Sequence, residues 1–210
     1  MFGAVVSRPK PKSRSTPGVT SKPVRQTAAE ARAEAEERVA ANRVARQAAM
    51  DAHFAAIADP GTLPGTALTV ANAAVTVLFV ALALVGTASS GSMRDLSGNV
   101  SLIIAAIGTL LFGLALWDGA QRSRESAMGI GGWFFLAASA PRAAQIRMLG
   151  PLLVPVVVGI GTAWATFDSA APTPTPLAFG TLVPIFGLAL CGIWGARYGY
   201  FPPRSAGTTR

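Results

Sequence analysis

Hydrophobic positions along the chain gather into four long runs: 67–86 (ALTVANAAVTVLFVALALVG), 96–117 (LSGNVSLIIAAIGTLLFGLALW), 148–167 (MLGPLLVPVVVGIGTAWATF) and 177–196 (LAFGTLVPIFGLALCGIWGA). None contains a charge. A hydrocarbon core about 30 Å thick takes about twenty helical residues, so each run predicts a membrane-crossing helix. Together they predict a four-span membrane domain over 60–198, with a short cytoplasmic tail at 199–210.

A fifth apolar stretch, GIGGWFFLAASAPRAAQIRM at 129–148, breaks this pattern. Its uncharged core, 127–140, has fourteen residues, roughly 21 Å as a helix. That is short for a span. The expectation is an element over 127–147 lying at the membrane surface, with Trp133, Phe134 and Phe135 at headgroup depth, where aromatic rings are favoured. Pro141 would end it. The alternatives are a re-entrant loop, with Gly129, Gly131 and Gly132 permitting close backbone approach, and a fifth span.

Charge placement separates four spans from five. Lys and Arg accumulate on the cytoplasmic side. With four spans and a cytoplasmic N-terminus, seventeen Lys and Arg lie inside and Arg94 alone outside. Five spans give twelve against six. Four spans with both termini cytoplasmic is therefore the reading.

Ahead of the spans the pattern turns polar. Residues 1–60 hold sixteen of the twenty-eight charged residues. Residues 1–26 carry Arg8, Lys10, Lys12, Arg14, Lys22 and Arg25, no acid, and four prolines. Such a segment cannot bury enough surface to offset its ordering entropy, and it reads as a disordered basic arm. Anionic lipid is its expected partner. Nucleic acid is disfavoured, because no aromatic residue follows Phe2 to stack on bases.

From Thr27 to residue 59 the sequence predicts one long helix. Thr27 and Glu30 fit a capping box, and the run is rich in Ala, Glu and Arg without Gly or Pro. Met50, Phe54 and Ile57 form an apolar stripe in its last turns. Upstream, Val39 shares that face with Arg32, Arg43 and Arg46, and no leucine heptad supports a strong coiled coil. The last turns are expected to rest on the membrane or a loop, or to dock a protein partner or a second copy.

Composition then narrows the chemistry. Only 13% of residues are charged, against about 25% in soluble domains. No ionisable group lies within the four runs, which disfavours proton relays and ion pathways. Phosphate-binding loops, HExxH, GxSxG and paired Cys or His sets are all missing, so no catalytic, cofactor or metal site is expected. Cys191 is the lone cysteine and reads as a small packing residue; His53 reads as solvated. The start has neither a signal-peptide core nor Gly at position 2, so targeting is expected from the spans. Small residues recur every four positions: Ser101, Ala105, Thr109 and Gly113; Gly159 and Ala163; Gly187, Cys191 and Gly195. These predict close helix packing within the bundle or between copies. Pro155 and Pro184 predict kinks, and Asn72, Thr76 and Thr109 are candidates for cross-helix hydrogen bonds. The bias of fifteen Arg against three Lys, with heavy use of Ala, points to a GC-rich prokaryotic genome.

The fold expected is an all-α integral membrane protein with four transmembrane helices, a long cytoplasmic juxtamembrane helix and a basic arm. The role expected is a non-catalytic scaffold or accessory subunit at the cytoplasmic face of the plasma membrane. The alternative is a small oligomeric channel, permease or hole-forming protein.

Overall fold

The computed structural model describes residues 27–57, 63–167 and 176–204. It is all-helical, with no strand among the described residues. The basic arm with its six cations, the 168–175 segment and the end of the tail from residue 205 lie outside the described residues.

Two compact units divide after Arg43. The first helix, α1 (Ala28–Ile57), begins on the capping box: Thr27 N–H donates to Glu30 Oε2 at 2.8 Å, and Glu30 N–H donates to Thr27 Oγ1 at 3.3 Å. Its turns as far as Arg43 are exposed. The Arg38–Glu34 pair there, at 3.5 Å, is a solvated i,i+4 contact of small energetic weight.

The second unit, Val44–Arg210, holds four helical segments long and apolar enough to cross a membrane. They are α2 (Thr66–Ala88), α3 (Ser92–Arg122), α5 (Arg142–Ala165) and the composite segment Pro176–Tyr198. A five-residue helix, α4 (Ile130–Phe134), lies between α3 and α5. The composite segment is a 3₁₀ helix, Pro176–Leu182, followed by α6 (Pro184–Tyr198). Pro184 lacks an N–H, so it starts a helix more easily than it continues one. The kink predicted there is a change of helix type.

The fourth segment is the centre of the bundle. In its most apolar window 61% is buried, against 22–28% for the other three. Its sequence permits this, since Gly187, Ala189, Cys191, Gly192, Gly195 and Ala196 keep its surface thin. α3 and α5 flank it, and α2 packs on both flanks. The proximal end of the bundle gathers the last turns of α1, the 123–141 connection and residues 199–204. The 89–91 turn and the start of the 3₁₀ helix mark the distal end.

Polar groups inside the bundle are placed by the backbone's needs. Pro155 has no N–H, so the Pro151 carbonyl loses its usual helical donor; Thr76 Oγ1 donates to it at 3.1 Å. Asn72 Nδ2 donates to Met148 O at 2.8 Å. Thr109 instead donates to Ala105 O within its own helix, at 2.9 Å. At the distal end Arg94 Nη2 donates to Ser89 O at 2.9 Å and its Nε to Gly86 O at 3.4 Å. It thereby covers the last carbonyls of α2, where the helix dipole is negative.

The small-residue stripe on α3 drifts off the contact. Steps of four residues advance 40° around a 3.6-residue helix, so Thr109 and Gly113 are exposed while Ser101 and Ala105 are buried. The buried face follows a 3.5-residue repeat through Ser97, Ser101, Ile104, Gly108, Ala115 and Gly119. Gly108 lies against the Phe186 backbone, where an added Cβ would come within 2.7 Å. In α5, Gly159 meets the Gly180 carbonyl equally closely, and Ala163 is half-buried.

Candidate functional site

Two features of the second unit are candidates for function: a layer folded over the proximal end, and a groove along one flank.

The layer is built on the C-terminal turns of α6. Their carbonyls lack helical donors, and Arg122 supplies them. Its Nη1 donates to Ala196 O at 2.6 Å and Arg197 O at 3.1 Å, and its Nη2 to Gly199 O at 2.8 Å. The guanidinium also lies 5.8 Å from the Phe201 ring centroid, a cation–π distance. Arg197 pairs with Asp118 at 2.8 Å. Above them, Trp194 is fully buried; its Nε1 donates to Pro64 O at 2.8 Å and its ring stacks on Phe54 with centroids 6.1 Å apart. His53 Nε2 lies 3.1 Å from Tyr198 O, a bond made by the Nε2–H form of the ring.

Met50 and Phe54 are therefore buried against their own chain. Of the surfaces expected for this stripe, the membrane, a loop, a partner or a second copy, the one seen is the chain's own, and Ile57 alone of the three stays exposed. The reason lies in two aromatic residues distant in sequence, Trp194 and Tyr198, which supply the apolar surface that the stripe needs.

The 123–141 connection closes the layer. Ala127 N–H donates to Pro202 O at 2.9 Å, Arg204 N–H to Glu125 O at 3.0 Å, and Tyr200 N–H to Ser139 O at 2.8 Å. From there α4 dips into the bundle. Trp133 Nε1 donates to Gly192 O at 2.9 Å. Phe134 is buried and stacks on Phe112 at 5.2 Å. Gly192 lies six residues inside the end of α6, about 9 Å, and Phe112 ten residues inside the end of α3, about 15 Å. Of the three aromatic residues expected at headgroup depth, Trp133 is half-buried and Phe134 buried against the bundle, and Phe135 is exposed.

Small residues on two neighbouring helices open this slot. An added Cβ on Gly192 would come within 2.5 Å of the Phe134 ring, and one on Gly195 would strike the Trp133 carbonyl. Gly119 lies under the Trp133 ring. Thus Gly195 receives the 123–141 connection, whereas Gly187 faces Leu152 and Asn72, and Cys191 lies 3.8 Å from Met148 O. The chain turns back sharply after α4. Leu136 and Ala138 both have φ of 56°, a left-handed conformation that non-glycine residues seldom adopt. Leu136 is held there by complete burial, and Ser139 Oγ donates to Gly132 O across the turn.

The groove lies between α3 and α5, with α6 as its floor, and has a volume of about 620 Å³. Leu102, Ala105, Ala106 and Thr109 form one wall; Leu152, Leu153 and Val156 form the other. Pro184, Ile185 and Leu188 line the floor, and Phe135 stands at the proximal end. Its two hydroxyls are already engaged, Thr109 with Ala105 O and Thr181 with Ala178 O. The groove thus offers hydrocarbon and no open donor. Sequence reasoning missed it, because its walls come from three separated runs.

Among the described residues no set of three or more His, Cys, Asp or Glu side chains is placed to hold a metal. Cys191 is buried and unpaired. No protein-family model, curated protein or solved structure matches the chain.

Proposed function

We propose that the chain is a four-span protein of a prokaryotic plasma membrane, with both termini cytoplasmic. Its role in this reading is non-catalytic: a scaffold or accessory subunit that presents the proximal layer to a protein partner or a second copy.

Membrane residence is supported by the outward faces of three helices. Val70, Val77 and Leu84 on α2, Ile103 and Leu110 on α3, and Leu153, Val157 and Ile160 on α5 are all exposed. A bundle in water would leave these faces unprotected, whereas lipid tails meet them without penalty. The exposed Trp164 stands seventeen residues beyond Arg147 on α5, about 26 Å along the axis, close to the thickness of a hydrocarbon core. Both proximal arginines of α5 would then meet cytoplasmic headgroups.

The observation that carries the scaffold reading is the proximal layer itself. Three separate segments are tied together there by Arg122, Trp194 and the 123–141 connection, an elaboration beyond what crossing a bilayer requires. The centre of the bundle, where a single-chain path would run, is filled by α6. The test is purification of the full chain in mild detergent, with mass spectrometry of whatever accompanies it. A partner recovered in fixed stoichiometry supports the scaffold. Solute or ion flux through vesicles containing only this chain overturns it in favour of the oligomeric channel.

A further inference from the structure

We propose that the flank groove seats one acyl chain of an anionic membrane lipid, with the headgroup at Arg142. The proposal rests on the membrane reading and adds to it a site with a stated ligand.

Shape argues first. The groove runs from Phe135 at its proximal end to the 3₁₀ helix at its distal end. Along α3 it extends from Leu102 to Thr109, seven residues or about 10 Å. A membrane-crossing helix is about 30 Å long, so a groove of about 10 Å bounded at both ends would receive only a part of one, whereas a flexible chain can match its length. Chemistry argues next: the lining is apolar and its hydroxyls are satisfied internally, which leaves nothing for a polar ligand to bond.

Charge sets the class of lipid. Arg142 begins α5 and Leu153 forms part of the groove wall, eleven residues apart. Eleven residues are three turns, so the two lie almost in line, about 16 Å apart along the axis. Between them on that face stand Gln145 and Leu149, both half-buried, and Ile146, which is exposed and apolar, so a chain would pass over Ile146. Arg142 is exposed, and no carboxylate pairs with it among the described residues. An anionic headgroup at Arg142 therefore sends its chain down α5 and into the groove at mid-chain depth.

The test uses the full chain reconstituted in vesicles that contain a lipid with a photoreactive group midway along one acyl chain. The probe lipid is either phosphatidylglycerol or phosphatidylcholine. Labelled residues are mapped by mass spectrometry. The expected result is label concentrated on Ala106, Leu153 and Leu188 over Val77, which faces outward on α2. Yield in the groove should be roughly fivefold higher from the anionic probe, the effect of one arginine near a charged headgroup. Arg142→Gln should remove that preference. Ala106→Phe should empty the groove of label while labelling at Val77 persists. Label spread evenly over groove and outward faces overturns the proposal, as does label on the outward faces with none on Leu188 and Ala106. Groove label indifferent to headgroup charge overturns the anionic assignment. Absence of label from all four apolar segments would instead overturn the membrane reading. Mapping on the unmodified chain keeps the proposal exposed to failure even if a variant does not fold.

Discussion

Two side chains in the bundle repair defects that other residues create. Thr76 bonds a carbonyl that Pro155 leaves without its donor, so the two should be energetically coupled. Thr76→Val should cost about 1 kcal/mol in unfolding measured in detergent. In a Pro155→Ala background the same change should cost little, because the restored N–H takes the Pro151 carbonyl. Equal costs in both backgrounds would falsify the repair role. Arg122 does similar work at the end of α6 through three hydrogen bonds. Arg122→Gln should lower stability by about 2–3 kcal/mol, the scale for hydrogen bonds made by a charged group. Arg122→Lys should recover only part, since an ammonium cannot fork across several carbonyls. A thermal shift no larger than that of an exposed-arginine control such as Arg124→Gln would argue against the cap.

At the scale of elements, α1 and α4 carry opposite lessons. The start of α1 was legible because a capping box is local: Thr27 and Glu30 find each other within one turn. Thr27, first by its backbone N–H and then by its hydroxyl, holds the Glu30 carboxyl below its ordinary 4.5. A carboxyl whose pKa is lower folded than unfolded stabilises the fold above the unfolded value and loses that contribution as pH falls through the folded one. Hydrogen exchange at the Thr27 amide should therefore quicken as pH drops below about 4.5, relative to amides in mid-helix. Glu30→Ala should abolish that difference; an unchanged pH profile in the variant would remove the box as its cause. The path of α4 was not legible, because its inward turn is decided by Gly192 and Gly195, some sixty residues later. Composition showed an aromatic cluster on a short apolar run, and nothing local said which way the rings point. A fluorophore at Phe135→Cys in a Cys191→Ala background should be quenched by deep lipid labels more than by shallow ones. Adding Gly192→Val should reverse that order by evicting Phe134 from its slot. Stronger shallow quenching in the parent would return the segment to the membrane surface.

For the whole molecule, four apolar segments could be read directly, since run length against bilayer thickness is a sequence-level comparison. Which segment sits at the centre could not, as mean hydropathy is similar among them and burial is not. The groove was hidden for the same reason. Its walls are ordinary Leu, Ala and Val, and only their meeting around α6 makes a site. The proposed orientation rests on charge placement, and a reporter active only after export tests it. It should be silent after Arg210 and active when inserted into the 169–176 segment. Activity at Arg210 would mean an odd number of crossings.

The central place of α6 has a consequence for biogenesis. The fourth apolar segment leaves the ribosome after the other three, yet it is the one around which they pack. Until it arrives, α2 can pair with α5 through Asn72 and Thr76 and with α3 through Ser97, but Gly108 and Gly159, which meet the backbone of the fourth segment, have nothing to close upon. In the membrane reading, closure of the bundle as a whole therefore waits for the fourth segment, whenever the first three are inserted. A chain interrupted before residue 176 should reach the membrane and then be degraded, while one interrupted after residue 204 should accumulate normally. Quality control in the cell would thus sense the loss of the fourth helix as a bundle left open at its centre.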